Sequence, residues 1–99
     1  MTAGLNGLQP WLSPYAGWLL SLYPPAVVTS SYRSYSDQLR LWLTRSSNPY
    51  PVAPPGSSYH QYGRAFDVAA PAAILPQLGA VWNQIGGTWS PSDPIHFQA

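Results

Sequence analysis

The chain contains no cysteine, glutamate or lysine, so the side chains that carry or readily gain a charge near neutral pH are two histidines, three aspartates and four arginines. Without cysteine it can form neither a disulfide framework nor a thiolate zinc site. We expect one domain over residues 1–99, which at this size buries only about two-thirds of its unfolded surface. A bound metal would therefore contribute to stability as well as to chemistry.

The charge balance limits the classes of partner. The formal net charge is +1 and no basic run is present, which argues against a nucleic-acid partner. No apolar run reaches the ~18–20 residues of a membrane span. Residues 1–22 lack a basic n-region and an A-x-A cleavage site, so we predict no signal peptide. A target outside the cytoplasm would then require another delivery route.

The first half of the chain predicts two helices and a strand. Apolar residues recur at helical spacing over 8–22, Pro24 ends the pattern, and the spacing predicts that its tryptophans pack in the core. Residues 26–29 predict a short buried strand. Ser34 is placed to cap a second helix. The proline-rich segment 46–58 predicts a stiff loop.

The second half predicts short strands around a third helix. In the strand predicted over 65–69, Asp67 faces away from the apolar side chains. Residues 74–85 carry a helical stripe that Gly86 ends. Residues 88–89 and 95–98 are further strand candidates, and in the latter His96 lies opposite its apolar neighbours.

The histidines and aspartates suggest a metal site. A catalytic zinc commonly has three protein ligands and one open position. This chain can offer His60, His96 and one aspartate, and Asp67 is the natural choice because a turn at Gly63 would fold it back towards His60. Spacing alone leaves open that each histidine is an ordinary polar residue.

A catalytic carboxylate and a cation are also available. Without glutamate, the base that accepts a proton from water must be Asp93 or Asp37. Asp93 lies three residues before His96, although S-x-D-P is also good turn chemistry. Arg33 lies between a strand and a helix, where its guanidinium could hold a carbonyl or carboxylate, or simply face solvent.

Three segments each match a known sequence motif. The pattern S-x-H-x-x-G-x-A-x-D is matched at every fixed position, by Ser58, His60, Gly63, Ala65 and Asp67. An acidic residue, two spacers and a His followed by an aromatic are matched by Asp93, His96 and Phe97, after a tryptophan at Trp89. An upstream Y-R-S and a later Gln are matched by Tyr32, Arg33, Ser34 and Gln38. Over residues 26–98 the chain thus resembles the D-alanyl-D-alanine carboxypeptidase and dipeptidase family of zinc peptidases, which includes phage L-alanyl-D-glutamate endolysins.

The resemblance implies a fold and a cofactor. The fold would be a small α+β domain, similar to the Hedgehog and DD-peptidase domains, in which about three helices pack on a short, mainly antiparallel sheet. One Zn²⁺ would bind His60, Asp67 and His96. The acidic residue usual after H-F is Gln98 here, and we expect this to loosen support for His96.

The resemblance also implies roles at the site. Asp93 would be the general base, and Arg33 would stabilise the carbonyl oxygen as it becomes an oxyanion. Ser58, Tyr35 and Gln38 are the candidate substrate-binding residues, Tyr35 only because tyrosines there could line a peptide groove.

The implied function is hydrolysis of an amide bond in peptidoglycan stem peptides by metal-activated water. The bond would be L-Ala–D-Glu, as in endolysins, or D-Ala–D-Ala, and an aspartate base favours the endolysin side. By analogy, the protein would be a bacteriolytic phage lysis or virion protein, with other phage proteins as partners, acting in the cell wall or periplasm. A non-catalytic wall-binding or virion module on the same scaffold is the alternative.

Overall fold

Three helices pack with a three-stranded sheet in the computed structural model, which describes residues 4–99. The helices are α1 (Ser13–Ser21), α2 (Tyr35–Leu43) and α3 (Leu75–Gln84), and the strands are β1 (Val27–Ser30), β2 (Ala65–Ala69) and β3 (His96–Gln98). The strand order is β1-β2-β3, and both pairings are antiparallel. The predicted α+β class is confirmed.

Strand β2 is central, and its two faces have different roles. Its pairing brings Asp67 opposite His96 of β3 on one side and opposite Ser30 of β1 on the other. On the opposite face Phe66 stacks with Phe97 at 5.4 Å between ring centroids and meets Trp82 of α3 edge-on at 5.3 Å. The aromatic core therefore lies directly behind the polar face that carries Asp67.

The apolar segment that contains α1 buries only part of the predicted stripe. Its smaller side chains enter the core, whereas Trp11, which precedes the helix, and Trp18, which lies within it, are 52% and 47% exposed. The prediction of buried tryptophans is wrong because this helix is apolar around most of its circumference. Periodicity then does not identify which face is buried. The residues of this segment that enter the core are Leu8, Leu12, Ala16 and Leu19.

Other local predictions follow the sequence closely. Ser34 caps α2, where its Oγ accepts a hydrogen bond from the Asp37 amide at 3.2 Å. Gly86 follows α3 with a φ of 102°, the left-handed conformation expected after a helix. Thr88 forms only an isolated bridge to Gln98, so the strand predicted at 88–89 is reduced to a single pair.

A glycine turn leads the chain into β2. A short 3₁₀-helix over Tyr59–Tyr62 is followed by Gly63, whose φ is +65°. A Cβ at Gly63 would lie 2.9 Å from the Gly7 carbonyl oxygen, so a larger residue is excluded by space as well as by conformation. No helix within residues 4–99 has the length and apolar character needed to cross a bilayer.

Candidate metal centre

The structure brings His60, Asp67 and His96 together at the edge of the sheet. His60 lies in the 3₁₀-helix before Gly63, Asp67 in β2 and His96 at the start of β3. One potential ligand atom from each lies within 4.8 Å of the other two. Asp67 Oδ1 is 3.2 Å from His60 Nε2 and 3.3 Å from His96 Nδ1. Three potential ligand atoms therefore face a common point.

The second nitrogen of each imidazole is already engaged. His60 Nδ1 is 2.6 Å from the Ser31 carbonyl oxygen, and His96 Nε2 is 2.7 Å from Gln98 Oε1. Both oxygens can only accept, so these nitrogens carry the N–H and donate it. In the neutral rings the lone pairs are then on His60 Nε2 and His96 Nδ1, which face Asp67. Two imidazole nitrogens and a carboxylate oxygen form a donor set that fits Zn²⁺.

The electrostatics of the three groups are coupled. Burial alone would raise the pKa of Asp67, but hydrogen bonds from the facing ring nitrogens of His60 and His96, when those nitrogens carry a proton, and the nearby positive charges outweigh it, so the pKa falls well below its usual value. Burial would lower the pKa of His96, but hydrogen bonds to Asp67 and Gln98 and the charge of Asp93 raise it. The Asp67 carboxylate is thus held ionised, as a metal ligand must be.

Arg33 is fixed from two sides. Its Nη2 donates to Asp67 Oδ2 at 3.0 Å and its Nη1 donates to Gln38 Oε1 at 3.1 Å. Gln38 is buried and in turn donates from Nε2 to the Ala53 carbonyl at 2.8 Å. Arg33 therefore links the metal-site carboxylate to α2 and to the proline-rich loop. Two of its five N–H donors are used in these contacts.

A cleft of about 410 Å³ opens over the cluster. Arg33, Gln38, Ser58 and Asp93 all line it, together with the three potential ligands. Burial raises the pKa of the half-buried Asp93, and the neighbouring Asp67 charge adds to this, against opposing contributions from the nearby histidines and Arg33. A carboxyl group with a raised pKa beside a potential metal site is a candidate acid–base residue.

The candidate substrate-binding residues lie in different surroundings. Ser58 is buried, and its Oγ accepts from the His60 amide at 3.3 Å, capping the 3₁₀-helix. Gln38 lines the cleft but has both ends of its amide engaged. Tyr35 is 60% exposed at the start of α2 and does not belong to the cleft lining.

Two supporting groups were missed or misjudged from the sequence. The Ser31 carbonyl that accepts from His60 is a backbone group, for which the sequence carries no signal. Gln98 was expected to weaken support for His96, yet its side chain is the acceptor that holds this ring. The two-residue spacing on one strand face could have shown that Gln98 and His96 are neighbours.

Comparison with known proteins defines the class. The sequence model of the family described as VanY, D-alanyl-D-alanine carboxypeptidase, matches residues 24–88. The chain belongs to this family, and it is therefore a peptidase from a family that acts on the bacterial cell wall. The predicted family is confirmed, whereas the endolysin branch stays a prediction. No curated protein matches the chain significantly.

Solved structures show the same fold. A VanY D,D-pentapeptidase mutant from a VanB-type vancomycin-resistance cassette, in complex with Zn(II), shares 20% identity at a TM-score of 0.72, covering 92% of this chain and 71% of that chain. VanYB in complex with D-alanine-D-alanine shares 20% identity at a TM-score of 0.73, and the match covers 92% of this chain and 70% of that chain. The LdcB LD-carboxypeptidase shares 16% identity at a TM-score of 0.69, and the match covers 92% of this chain and 58% of that chain. At these identities the likeness establishes the fold.

Proposed function

We propose that this chain is a zinc-dependent peptidoglycan peptidase that hydrolyses an amide bond in the peptide stem of the cell wall. One observation carries the proposal: three ligand atoms of His60, Asp67 and His96 converge within 4.8 Å while both imidazoles donate their N–H elsewhere. One Zn²⁺, the ion bound by the VanY structure, would be held by these residues. The whole of residues 1–99 would serve as a single peptidase domain.

Asp93 is the proposed general base. When bound, the metal supplies a Lewis acid that makes water a nucleophile near neutral pH. Asp93 lines the same cleft, and no other aspartate does so besides Asp67 among residues 4–99. Asp93 would accept a proton as water attacks the scissile carbonyl and would return it to the leaving amine. The burial that raises its pKa favours the first of these steps, in which Asp93 accepts the proton.

Arg33 is the proposed stabiliser of the developing oxyanion. Arg33 lines the cleft with a side chain that is 20% exposed, while two of its N–H donors hold Asp67 and Gln38. A cation fixed before substrate arrives stabilises new negative charge without reorganising. Ser58 and Gln38 would contact substrate from the cleft wall, and Tyr35 would do so from outside the lining, at the start of α2.

The family description supports D-Ala–D-Ala at the end of the stem as the bond cut. Endolysin-like cleavage of L-Ala–D-Glu is the second candidate, and it is favoured by an aspartate, rather than a glutamate, before the last histidine. The protein would act in the cell wall or periplasm on stem peptides. Delivery by a phage, with virion or lysis proteins as partners, belongs to the second candidate.

Mass spectrometry of digested muropeptides distinguishes the two bonds. The zinc-loaded protein is incubated with pentapeptide muropeptides and with intact sacculi. We expect loss of one terminal alanine from the pentapeptide stem. Release of whole stems that begin at D-Glu would instead establish the endolysin-like bond. No cleavage of either substrate by zinc-loaded protein would contradict the proposal.

A further inference from the structure

Gln98 occupies a defined position beside the metal centre. Its Oε1 lies 2.7 Å from His96 Nε2, which is the nitrogen that points away from Asp67. The two side chains share one face of β3, since they are two residues apart on the strand. Within residues 4–99 it is the only side-chain group hydrogen-bonded to this nitrogen.

The backbone of Gln98 is itself tightly held. Its N–H donates to the Thr88 carbonyl at 3.1 Å, and its carbonyl accepts from the Thr88 amide at 2.8 Å. The same carbonyl accepts from Nε1 of the fully buried Trp82 at 2.9 Å. The amide that meets His96 therefore projects from a fixed point in the core, and its position is not set by the metal site alone.

We infer that Gln98 is a positioning residue that selects the nitrogen of His96 presented to the metal. By accepting the Nε2 proton, the Gln98 amide keeps the lone pair on Nδ1, facing His60 and Asp67. The inference rests on the proposed function, because it assumes that this cluster binds zinc. It assigns a role to a residue that lines the cleft but is outside the group of potential metal ligands.

The amide also limits how strongly His96 donates. A carboxylate in the same place would accept the same proton and raise the basicity of the ring, whereas an amide is neutral. His96 is thus a well-oriented ligand, but its ring is less basic than it would be with a carboxylate partner. Glutamate at this position should preserve the orientation and strengthen zinc binding, and a side chain without an acceptor should lose both.

Zinc affinity measured by competition with a chromophoric chelator tests the inference. Gln98→Met keeps the length and removes the acceptor, and we expect its affinity to fall about 10–100-fold. Gln98→Glu should bind zinc at least as tightly as wild type. Gln77→Met is the matched control, because Gln77 is exposed on α3 and its side-chain amide donates to the Ala73 carbonyl, away from the metal centre. Its affinity should equal that of wild type.

Nitrogen-15 NMR of the imidazoles supplies a readout that is independent of activity. In the zinc-loaded wild type, His96 should be protonated at Nε2, and in Gln98→Met this single tautomer should be lost. Wild-type affinity and tautomer in Gln98→Met would overturn the inference. If that variant fails to fold, a tenfold or greater loss of affinity in Gln98→Glu would overturn it instead. Failure of the wild type to bind zinc would contradict the proposed function rather than the role of Gln98.

Discussion

Asp67 is the residue on which the polar contacts of the cleft converge. Its Oδ1 meets both histidines, and its Oδ2 accepts from Arg33. The strand places this carboxylate opposite the aromatic core, so burial alone would disfavour its charge. The surrounding donors reverse that effect, and its pKa is lowered. The site is therefore organised around an anion, which suits a cation more than a neutral ligand.

At the residue scale, substitution of Asp93 tests its role as the general base. Asp93→Asn should lower kcat by about 10²–10⁴-fold, because the amide cannot accept the proton from water. Zinc content should remain unchanged, since Asp93 is outside the group of potential ligands. Asp37→Asn is the matched control: Asp37 is exposed on α2 and pairs with Arg40. Steady-state hydrolysis and metal analysis measure both. Wild-type turnover in Asp93→Asn would remove Asp93 from the mechanism.

At the scale of elements, features set by one residue and its neighbours were predicted better than the burial of individual side chains. The Ser34 cap, the turn at Gly63 and the end of α3 at Gly86 each depend on one residue and its neighbours, and all three appear as predicted. The strand over 65–69 was also predicted with its correct bounds. The exposure of Trp11 and Trp18 was not predicted, because it depends on what packs against this segment.

The same contrast holds for the site. Scarcity of titratable residues and the family pattern selected the residues that converge on the cleft. Their supporting contacts could not be predicted in the same way. The Ser31 carbonyl that accepts from His60 belongs to the backbone, so the identity of the residue does not reveal it. The hydrogen bonds of Gln38 with Arg33 and with the Ala53 carbonyl depend on how the loop closes over α2. Sequence therefore identifies chemistry more readily than it identifies orientation.

Two helix glycines provide a prediction at this scale. A Cβ at Gly79 of α3 would lie 2.1 Å from the ring of Trp89, which is held by a hydrogen bond to the Pro94 carbonyl. We expect Gly79→Ala to destabilise the fold by about 1–3 kcal/mol. At Gly17 of α1 the nearest side-chain atom would be 3.6 Å away, on Leu5. Gly17→Ala should therefore stabilise by roughly 0.5–1 kcal/mol.

Thermal unfolding followed by circular dichroism compares the two variants. Because each 1 kcal/mol shifts Tm by roughly 4–8 °C in a domain of this size, the variants should separate clearly, on opposite sides of wild type. A Gly79→Ala protein as stable as wild type would show that Trp89 can leave this contact without cost.

At the scale of the whole molecule, the chain joins a small core to a polar cleft with few charges. The radius of gyration is 12.8 Å, close to the value of about 13 Å expected for a compact chain of this length. The core lies behind β2, and the polar cluster lies on the other face of the same sheet. Aromatic side chains of α1 remain exposed outside this core. The family membership and this arrangement together point to metal-dependent hydrolysis of a wall peptide.

The most direct test is hydrolysis of peptidoglycan by metal-stripped protein before and after addition of zinc. The protein is dialysed against chelator, and the release of new peptide ends or free alanine from purified sacculi is measured. We predict no release by the stripped protein and restored release with one equivalent of zinc. Equal release with and without zinc, or none after one zinc per chain has bound, would contradict the central claim.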